Sequence, residues 1–446
     1  MRYSAALQYL DSFLDFERLP FEYRRQFNLR RMIHLLRWFG RPDRALTCVL
    51  IAGTKGKGST ASFLFSLLNA NGCRVGLYTS PHLHDPRERI RVGNRLISKK
   101  DFARLIDHIR PVLKRQKRQI ASFGPVTYFE IFTLVAILYF AQKRVDLGIF
   151  EVGMGGRLDA TNVLNQKLSI LTPVSLDHEE HLGRTLEKIA GEKAAIIKPG
   201  SIVISAEQDP EAKKVIEKQI RRQKAKGYWF GRAFRTLGES SGTGGGQFDF
   251  QTNGKTLRRL RIRLGGRFQI SNAALALYAA DLLSQRFGFR LEERSIRVGL
   301  KRTFWPGRFE VLERRSQTWV LDGAHNGASM KELALALRDS FSHREKVVIF
   351  GTSWNKTLKP ILKELLPLSS SLIVTKSSNP RAQEPKVILE AAAGMGYRRP
   401  TFLSFSLDEA FELIKTLDLP RSIFVVTGSL FLVAEAREKL KCPKFT

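Results

Sequence analysis

Cys48-Val49-Leu50-Ile51-Ala52-Gly53-Thr54-Lys55-Gly56-Lys57-Gly58-Ser59-Thr60 is the stretch on which the fold turns. Its first five residues are apolar without a break, as in a strand buried on both faces, and the run stops at glycine. Ser59 to Ala70 then reads as a helix, so the order is strand, glycine-rich loop, helix. In such a loop the glycines let backbone N–H groups turn inward around an anion, and the helix N-terminus adds partial positive charge. Lys57 brings a full charge for β- and γ-phosphates, and Ser59 or Thr60 a hydroxyl near phosphate or Mg²⁺. Gly58 stands between the lysine and the hydroxyl, a departure from the general phosphate-loop spacing. The stretch implies ATP, held by Thr54, Lys55, Gly56, Lys57, Gly58 and Ser59.

The alternation continues outward. Arg74–Tyr78, Leu147–Glu151 and Leu168–Leu171 read as strands, with helices over Tyr128–Gln142 and Thr185–Ile197. These β-α-β steps build a parallel sheet covered by helices, with ligands just beyond the strand C-termini. Trp305-Pro306-Gly307 breaks the pattern, and a fresh series begins at Thr318–Leu321, Val347–Phe350, Leu372–Val374 and Ile423–Val426. The expectation is an α/β protein: a parallel-sheet P-loop ATPase domain over residues 1–302, then a smaller Rossmann-like α/β domain over 303–446. Gly238–Gln247, rich in glycine and serine, is read as a surface loop or hairpin tip that cannot pack.

Composition narrows the class. The 446 residues allow two to four domains, and a 43% hydrophobic content supplies a real core. A net charge of +32 suits anionic partners without choosing among them. The basic clusters Lys114–Arg118, Lys213–Lys226 and Lys255–Arg263 are separate and poor in aromatics, so they read as solvated faces rather than a nucleic-acid stripe. Three scattered cysteines make neither a disulfide framework nor a zinc site. The most apolar run, Tyr128–Ala141, contains Glu130 and is shorter than the roughly 20 residues that span a bilayer. No apolar signal core opens the chain, so the expectation is a cytoplasmic protein without nucleic-acid or membrane partners, acting as a monomer.

Other polar groups fall at predicted strand ends. Tyr78-Thr79-Ser80-Pro81-His82-Leu83 follows the second strand. Glu151 ends another, beside the glycine-rich Val152-Gly153-Met154-Gly155-Gly156, where a carboxylate suits a hard, oxygen-preferring cation. Ser175-Leu176-Asp177-His178 follows the next, and Lys193 sits on the helix after it. Read alone, His178 fits a structural histidine as well as a ligand, and Lys193 an exposed helix lysine. Phe268-Gln269-Ile270-Ser271-Asn272, Trp305-Pro306-Gly307-Arg308 and Leu321-Asp322-Gly323-Ala324-His325-Asn326 complete the candidates; an arginine at a domain joint can reach phosphates and follow closure.

The loop, with its Lys-Gly-Ser ending, and these motifs together resemble the folylpolyglutamate synthase/dihydrofolate synthase branch of the Mur ligase superfamily over nearly the whole chain. The resemblance implies an ATP-dependent amide-forming ligase. It gives Mg²⁺ to Ser80, Glu151 and His178, a carbamylated side chain to Lys193, and nucleotide contacts to Asn272, Arg308 and Asp322, with His325 nearby. Thr127-Tyr128-Phe129-Glu130 and Leu158-Asp159-Ala160 are similar to pterin-binding segments, in which a ring stacks on the pterin and a carboxylate pairs with its N–H groups. The first of these also reads as a helix start that buries its aromatics. Three positions depart from the family pattern: Lys55 where asparagine is common, Phe268 where histidine is usual, and Gly327 in place of a proline. Lys55 then either tightens anion binding or faces water.

The chemistry implied is transfer of the γ-phosphoryl of ATP to a carboxylate, then attack of glutamate's amine on the acyl phosphate. Lys57, Mg²⁺ and His325 would neutralise the transferring group, Lys193 would orient the cation, and dihydropteroate or a reduced folate would present the carboxylate. Competing readings are a peptidoglycan-precursor Mur-type ligase, a basic P-loop ATPase stimulated by nucleic acid, and a nucleotide-binding regulator without turnover.

Overall fold

The structure, a computed structural model, describes residues 1–16, 26–314, 317–417 and 422–445. Its large sheet takes β1 (Cys48–Ala52), β2 (Val75–Tyr78), β3 (Ile90–Val92), β4 (Arg95–Leu96), β5 (Leu147–Glu151), β6 (Leu168–Leu171), β7 (Ile202–Ser205) and β8 (Lys226–Trp229) in the order β4-β3-β2-β5-β1-β6-β7-β8. Six strands are parallel; β3 and β4 add antiparallel pairs at one edge, which the sequence pattern did not signal. Every residue of β1 is buried because both faces are covered. Cys48, Leu50 and Ala52 join one apolar cluster, and Val49 and Ile51 the other, as the two-residue period of a strand requires.

The helix after β1 runs Lys57–Ala70, two residues earlier than its apolar pattern indicates. It packs against helices Arg267–Phe287 and Glu293–Arg302. On the opposite face, helix Tyr128–Lys143 is buried almost throughout. Thr127 and Glu130 form its capping box, each side chain accepting a backbone N–H of the other.

Residues 238–247 form the hairpin tip expected of them, but they are paired strand rather than a stretch that cannot pack. They belong to the antiparallel pair β9 (Phe234–Gly242) and β10 (Gly245–Thr252), which β11 (Thr256–Ile262) extends to three strands. Only the turn at Thr243 and Gly244 lies between those strands; Gly245 is buried, and at Gly246 a side chain would press on Ile270. The low apolar content hid a strand whose glycines allow close packing.

The third sheet comprises β12 (Glu310–Arg314), β13 (Gln317–Asp322), β14 (Lys346–Phe350), β15 (Ser371–Val374), β16 (Thr401–Leu403) and β17 (Ile423–Thr427) in the order β12-β13-β17-β14-β15-β16. All but β12 run parallel. Its alternate residues feed two clusters, one with Val320, Val348 and Val425, the other with Trp319, Val347 and Phe424. Phe268, from the helix Arg267–Phe287, packs into the first of these, and Arg267 Nε donates to Asp339 at 3.0 Å, so this sheet is fastened to the first one. Among the described residues no helix is long and apolar enough to cross a membrane.

Candidate active site

Parallel register builds the site. Ile51 of β1 faces Glu151 of β5, and Ala52 faces Leu171 of β6, so the loops after these three strands open side by side. They form one wall of a cavity of about 880 Å³, and the strand ends and helix start around Asp322–Ser329 form another. Thr54, Lys55, Gly56, Lys57, Gly58, Ser59, Ser80, Glu151, His178, Lys193, Asn272, Arg308, Asp322 and His325 all line it.

Two glycines set the loop's course. Gly53 lies so close to β6's continuation that a Cβ there would meet Thr172 Oγ1 at 1.9 Å. Gly56 caps the helix with φ +83°, a conformation costly to other residues, and faces the Asn272 amide. Thr54 N donates to Pro173 O at 3.0 Å and its hydroxyl to Ser175 O at 2.9 Å, stitching the loop to the segment after β6. Lys57 Nζ donates to the carbonyls of Gly53 (3.1 Å) and Thr54 (3.3 Å). Lys193 Nζ donates to the same Gly53 carbonyl at 3.0 Å, which brings two lysine nitrogens to one peptide oxygen. Asn272 Nδ2 donates to Gln269 Oε1 at 3.0 Å, fixing its amide toward the loop.

Burial dominates the protonation of these groups. It lowers Lys57, with Glu151 opposing, and brings Lys193 down to about 7 with help from the Lys57 charge. Burial raises the Glu151 carboxyl against the pull of Lys57 and a hydrogen bond from Ser80 N at 3.2 Å. Asp322 is likewise raised by burial, though Arg308 and the N–H groups of Phe309 (2.7 Å) and Ala324 (2.8 Å) oppose it. His178, a left-handed residue capping a short helix, is lowered by burial to about 3, and His325 to about 4. His325 Nδ1 lies 2.8 Å from the Gly323 carbonyl, which can only accept. Nδ1 therefore carries the proton and Nε2 a lone pair. Burial thus favours the neutral ring at position 325 while the cavity holds no phosphate charge.

Lys55, expected either to tighten anion binding or to face water, lines the cavity and is also held by an ion pair. Its Nζ pairs with Glu332 at 2.8 Å, on helix Gly327–Phe341 of the other wall.

The seven pterin candidates do not line the cavity. Thr127 and Glu130 are the capping box described above, and Arg31 Nε donates to both Glu130 oxygens at 2.8 Å with both side chains buried. Tyr128 is in the core against Phe132. Phe129 is partly buried, its ring beside Tyr78 and Gly153. Asp159 accepts from Gly153 N (2.9 Å), Met154 N (3.1 Å) and Thr161, so it shapes the turn after Glu151. Ala160 is buried, and Leu158 joins a small cluster with Met154 and Leu186. Glu130 and Asp159 therefore each have a structural role, in the Arg31 pair and in the turn after Glu151.

Sequence reasoning missed Asp177, Asn326 and Lys356. Asp177 Oδ1 accepts from Lys356 Nζ at 2.8 Å and Oδ2 from Asn326 Nδ2 at 2.9 Å, joining the two walls. The available signal was their position just after β6, β13 and β14. Among the described residues no three His, Cys, Asp or Glu side chains gather into a metal-holding group.

Family models match two parts of the chain: the Mur ligase middle domain over residues 104–280 and the Mur ligase glutamate ligase domain over 307–430. The chain is 33% identical over 414 residues to the dihydrofolate synthase/folylpolyglutamate synthase of Bacillus subtilis, covering 93% of this chain and 95% of that one. It is similar to Mycobacterium tuberculosis folylpolyglutamate synthase complexed with ADP, with a TM-score of 0.90, 30% identity and coverage of 99% and 98% of the two chains. An FPGS–AMPPCP–folate complex is also similar, with a TM-score of 0.85, 30% identity and coverage of 99% and 100%.

Proposed function

The chain belongs to the folylpolyglutamate synthase/dihydrofolate synthase family of Mur ligases, and we propose a division of labour within its ATP-dependent reaction. The enzyme joins L-glutamate to dihydropteroate, to the glutamate tail of reduced folates, or to both. The observation that carries the assignment of roles is the convergence of Lys57, Lys193, Glu151, Asn272, Arg308 and His325, from separate strand ends and helices, on one cavity.

In the reaction a carboxylate oxygen of the folate attacks the γ-phosphorus and ADP leaves. The glutamate amine then adds to the acyl carbon, loses a proton, and the tetrahedral intermediate expels phosphate. Gly53 to Ser59 would cradle the phosphates with Lys57 as the fixed cation, Asn272 and Asp322 would orient the nucleoside, and Arg308 would reach the phosphates from the joint. His325 would accept the amine's proton at Nε2, which suits a neutral ring whose other nitrogen is tied to a carbonyl.

Ser80, Glu151 and His178 are the donors we assign to Mg²⁺. They fit it in chemistry: a hydroxyl and a carboxylate are oxygen donors held together by the Ser80 N–H bond, and the neutral His178 has a free lone pair. Bound there, the ion would supply positive charge to the triphosphate oxygens. Lys193, much of it neutral amine near pH 7, is in the form that adds CO₂, which supports a carbamate at that position. We also read residues 1–302 as the nucleotide-binding domain and 303–446 as the domain that brings the amino acid.

Phosphate release measured with ATP, Mg²⁺ and L-glutamate, using dihydropteroate or tetrahydrofolate as acceptor, tests the assignment. Lys57→Met and Glu151→Gln should each abolish turnover with either acceptor; retained turnover in either variant removes that residue from the mechanism.

A further inference from the structure

Asp177 stands apart from the groups given roles above. Its side chain lines the cavity, yet it is only 8% exposed. Its carboxylate spends its hydrogen bonds on both walls. Oδ1 accepts from the backbone N–H of His178 at 3.0 Å, within its own loop, and from Lys356 Nζ at 2.8 Å. Oδ2 accepts from Asn326 Nδ2 at 2.9 Å. Asn326 is also the N-cap of helix Gly327–Phe341, its Oδ1 accepting from Ser329 N at 2.8 Å, so the direction of that helix is tied to Asp177. The two imidazoles flank the same carboxylate, His178 Nε2 at 3.8 Å and His325 Nε2 at 3.9 Å from Oδ2. Those separations exceed a hydrogen bond, so Asp177 fixes the rings through their backbones rather than by holding them.

We propose that Asp177, with Lys356 and Asn326, is a positioning residue that locks the amino-acid side onto the nucleotide loops and so aims His178 and His325 at the same reacting atoms. Breaking the lock costs alignment rather than nucleotide affinity, because neither Asp177 nor Lys356 belongs to the phosphate loop. A second link between the walls, Lys55–Glu332, is more exposed, at 25% and 31%, and holds neither imidazole.

The inference rests on the ligase reading, and the test separates the two. Asp177→Asn, Lys356→Met and the double variant are assayed in the full chain with ATP, Mg²⁺, dihydropteroate and L-glutamate. The dissociation constant of ADP and the melting temperature are measured alongside. The expected result is a fall in kcat of roughly 30- to 100-fold in each single variant, as for a misplacement near 1 Å. ADP affinity stays within about threefold, and the double variant is no worse than the poorer single one, since both cut one link. The proposal is overturned if kcat stays within about threefold in both singles, if their losses multiply, or if ADP affinity falls in proportion to kcat. Should Asp177→Asn fail to fold, Lys356→Met decides by the same kcat and ADP criteria. Absence of glutamate-dependent phosphate release in the unsubstituted chain would instead sink the ligase reading itself.

Discussion

Removing dissolved CO₂ should switch this enzyme off through Lys193. The side chain is 5% exposed, donates to Gly53 O at 3.0 Å, and is brought by burial and the neighbouring Lys57 charge from the ordinary 10.5 to about 7. At pH 7.5 roughly three-quarters of such side chains are neutral amine, against about one in a thousand for a solvated lysine. Only the neutral amine attacks CO₂; a C–N bond forms, one proton leaves, and the cation becomes an anion beside the candidate Mg²⁺ donors. At pH 6 the neutral fraction drops to about one-tenth, so recovery of activity after adding bicarbonate should slow roughly eightfold between pH 7.5 and 6. The assay is glutamate-dependent phosphate release in CO₂-stripped buffer under nitrogen, before and after bicarbonate, with carbon-13 bicarbonate reporting the carbamate by NMR. The same depression has a stability consequence. Folding disfavours the proton, so a penalty of about 5 kcal/mol, an upper bound, is fully present below pH 7 and fades as pH rises to 10.5, where the unfolded chain also sheds it. Lys193→Met removes that penalty and should therefore melt higher than the parent at pH 6, with the gap closing by pH 10. Activity indifferent to CO₂, together with no carbamate resonance, refutes the reasoning.

Glu130→Gln leaves the Arg31 guanidinium buried against a neutral amide and should cost about 3–5 kcal/mol in denaturant unfolding. If Glu130 instead holds pterin, the dihydropteroate KM rises while stability stays unchanged. Lys55→Asn breaks a partly exposed pair with Glu332, worth about 0.2–1 kcal/mol, so ATP affinity measured by calorimetry should move less than about fivefold; a larger loss means Lys55 serves the phosphates directly. His325→Gln should lower kcat about 100-fold with little change in ATP affinity, as expected on losing a proton acceptor. Because burial takes His325 to about 4, the parent's kcat should show no titration of this ring above about pH 5.

The frame of the fold was legible because hydrophobicity encodes it directly. β1 is an unbroken apolar run, β5 and β6 are mostly apolar, and helix Tyr128–Lys143 has almost no polar face, as near-complete burial demands. β9 and β10 were only half legible for the opposite reason: the glycine-rich residues 238–247 signal a hairpin tip, but their low apolar content conceals that they continue as paired strands. The cavity was legible wherever a chemical group sits at the end of an apolar strand, as Glu151 and Asp322 do. Asp177 and Lys356 escaped because their positions in the loops after β6 and β14 mark them as near the site but not as each other's partner. Their meaning lies in a contact across 179 positions of sequence, and each taken alone is an ordinary charged loop residue.

Charge makes the same point about scale. The chain's +32 says little about nucleotide binding, since its basic clusters at 213–226 and 255–263 lie on helix and strand surfaces with many exposed positions. The anion site is made instead by a few groups that water barely reaches. Lys57 and Lys193 converge on the Gly53 carbonyl, and burial disfavours the charge on both; Glu151 opposes that for Lys57, and Asp177 for Lys193. A triphosphate entering the loop would favour both protonated lysines, whereas a carbamate on Lys193 would convert one competing cation into an anion. The two changes act in opposite directions on the same residue, so the order of carbamylation and nucleotide binding matters. CO₂ should add faster before ATP than after it, because bound phosphate holds Lys193 in the protonated form that cannot react. Preincubating CO₂-stripped enzyme with ATP before bicarbonate should therefore lengthen the lag in phosphate release relative to the reverse order. Equal lags would show that the phosphates and the Lys193 amine do not share a field.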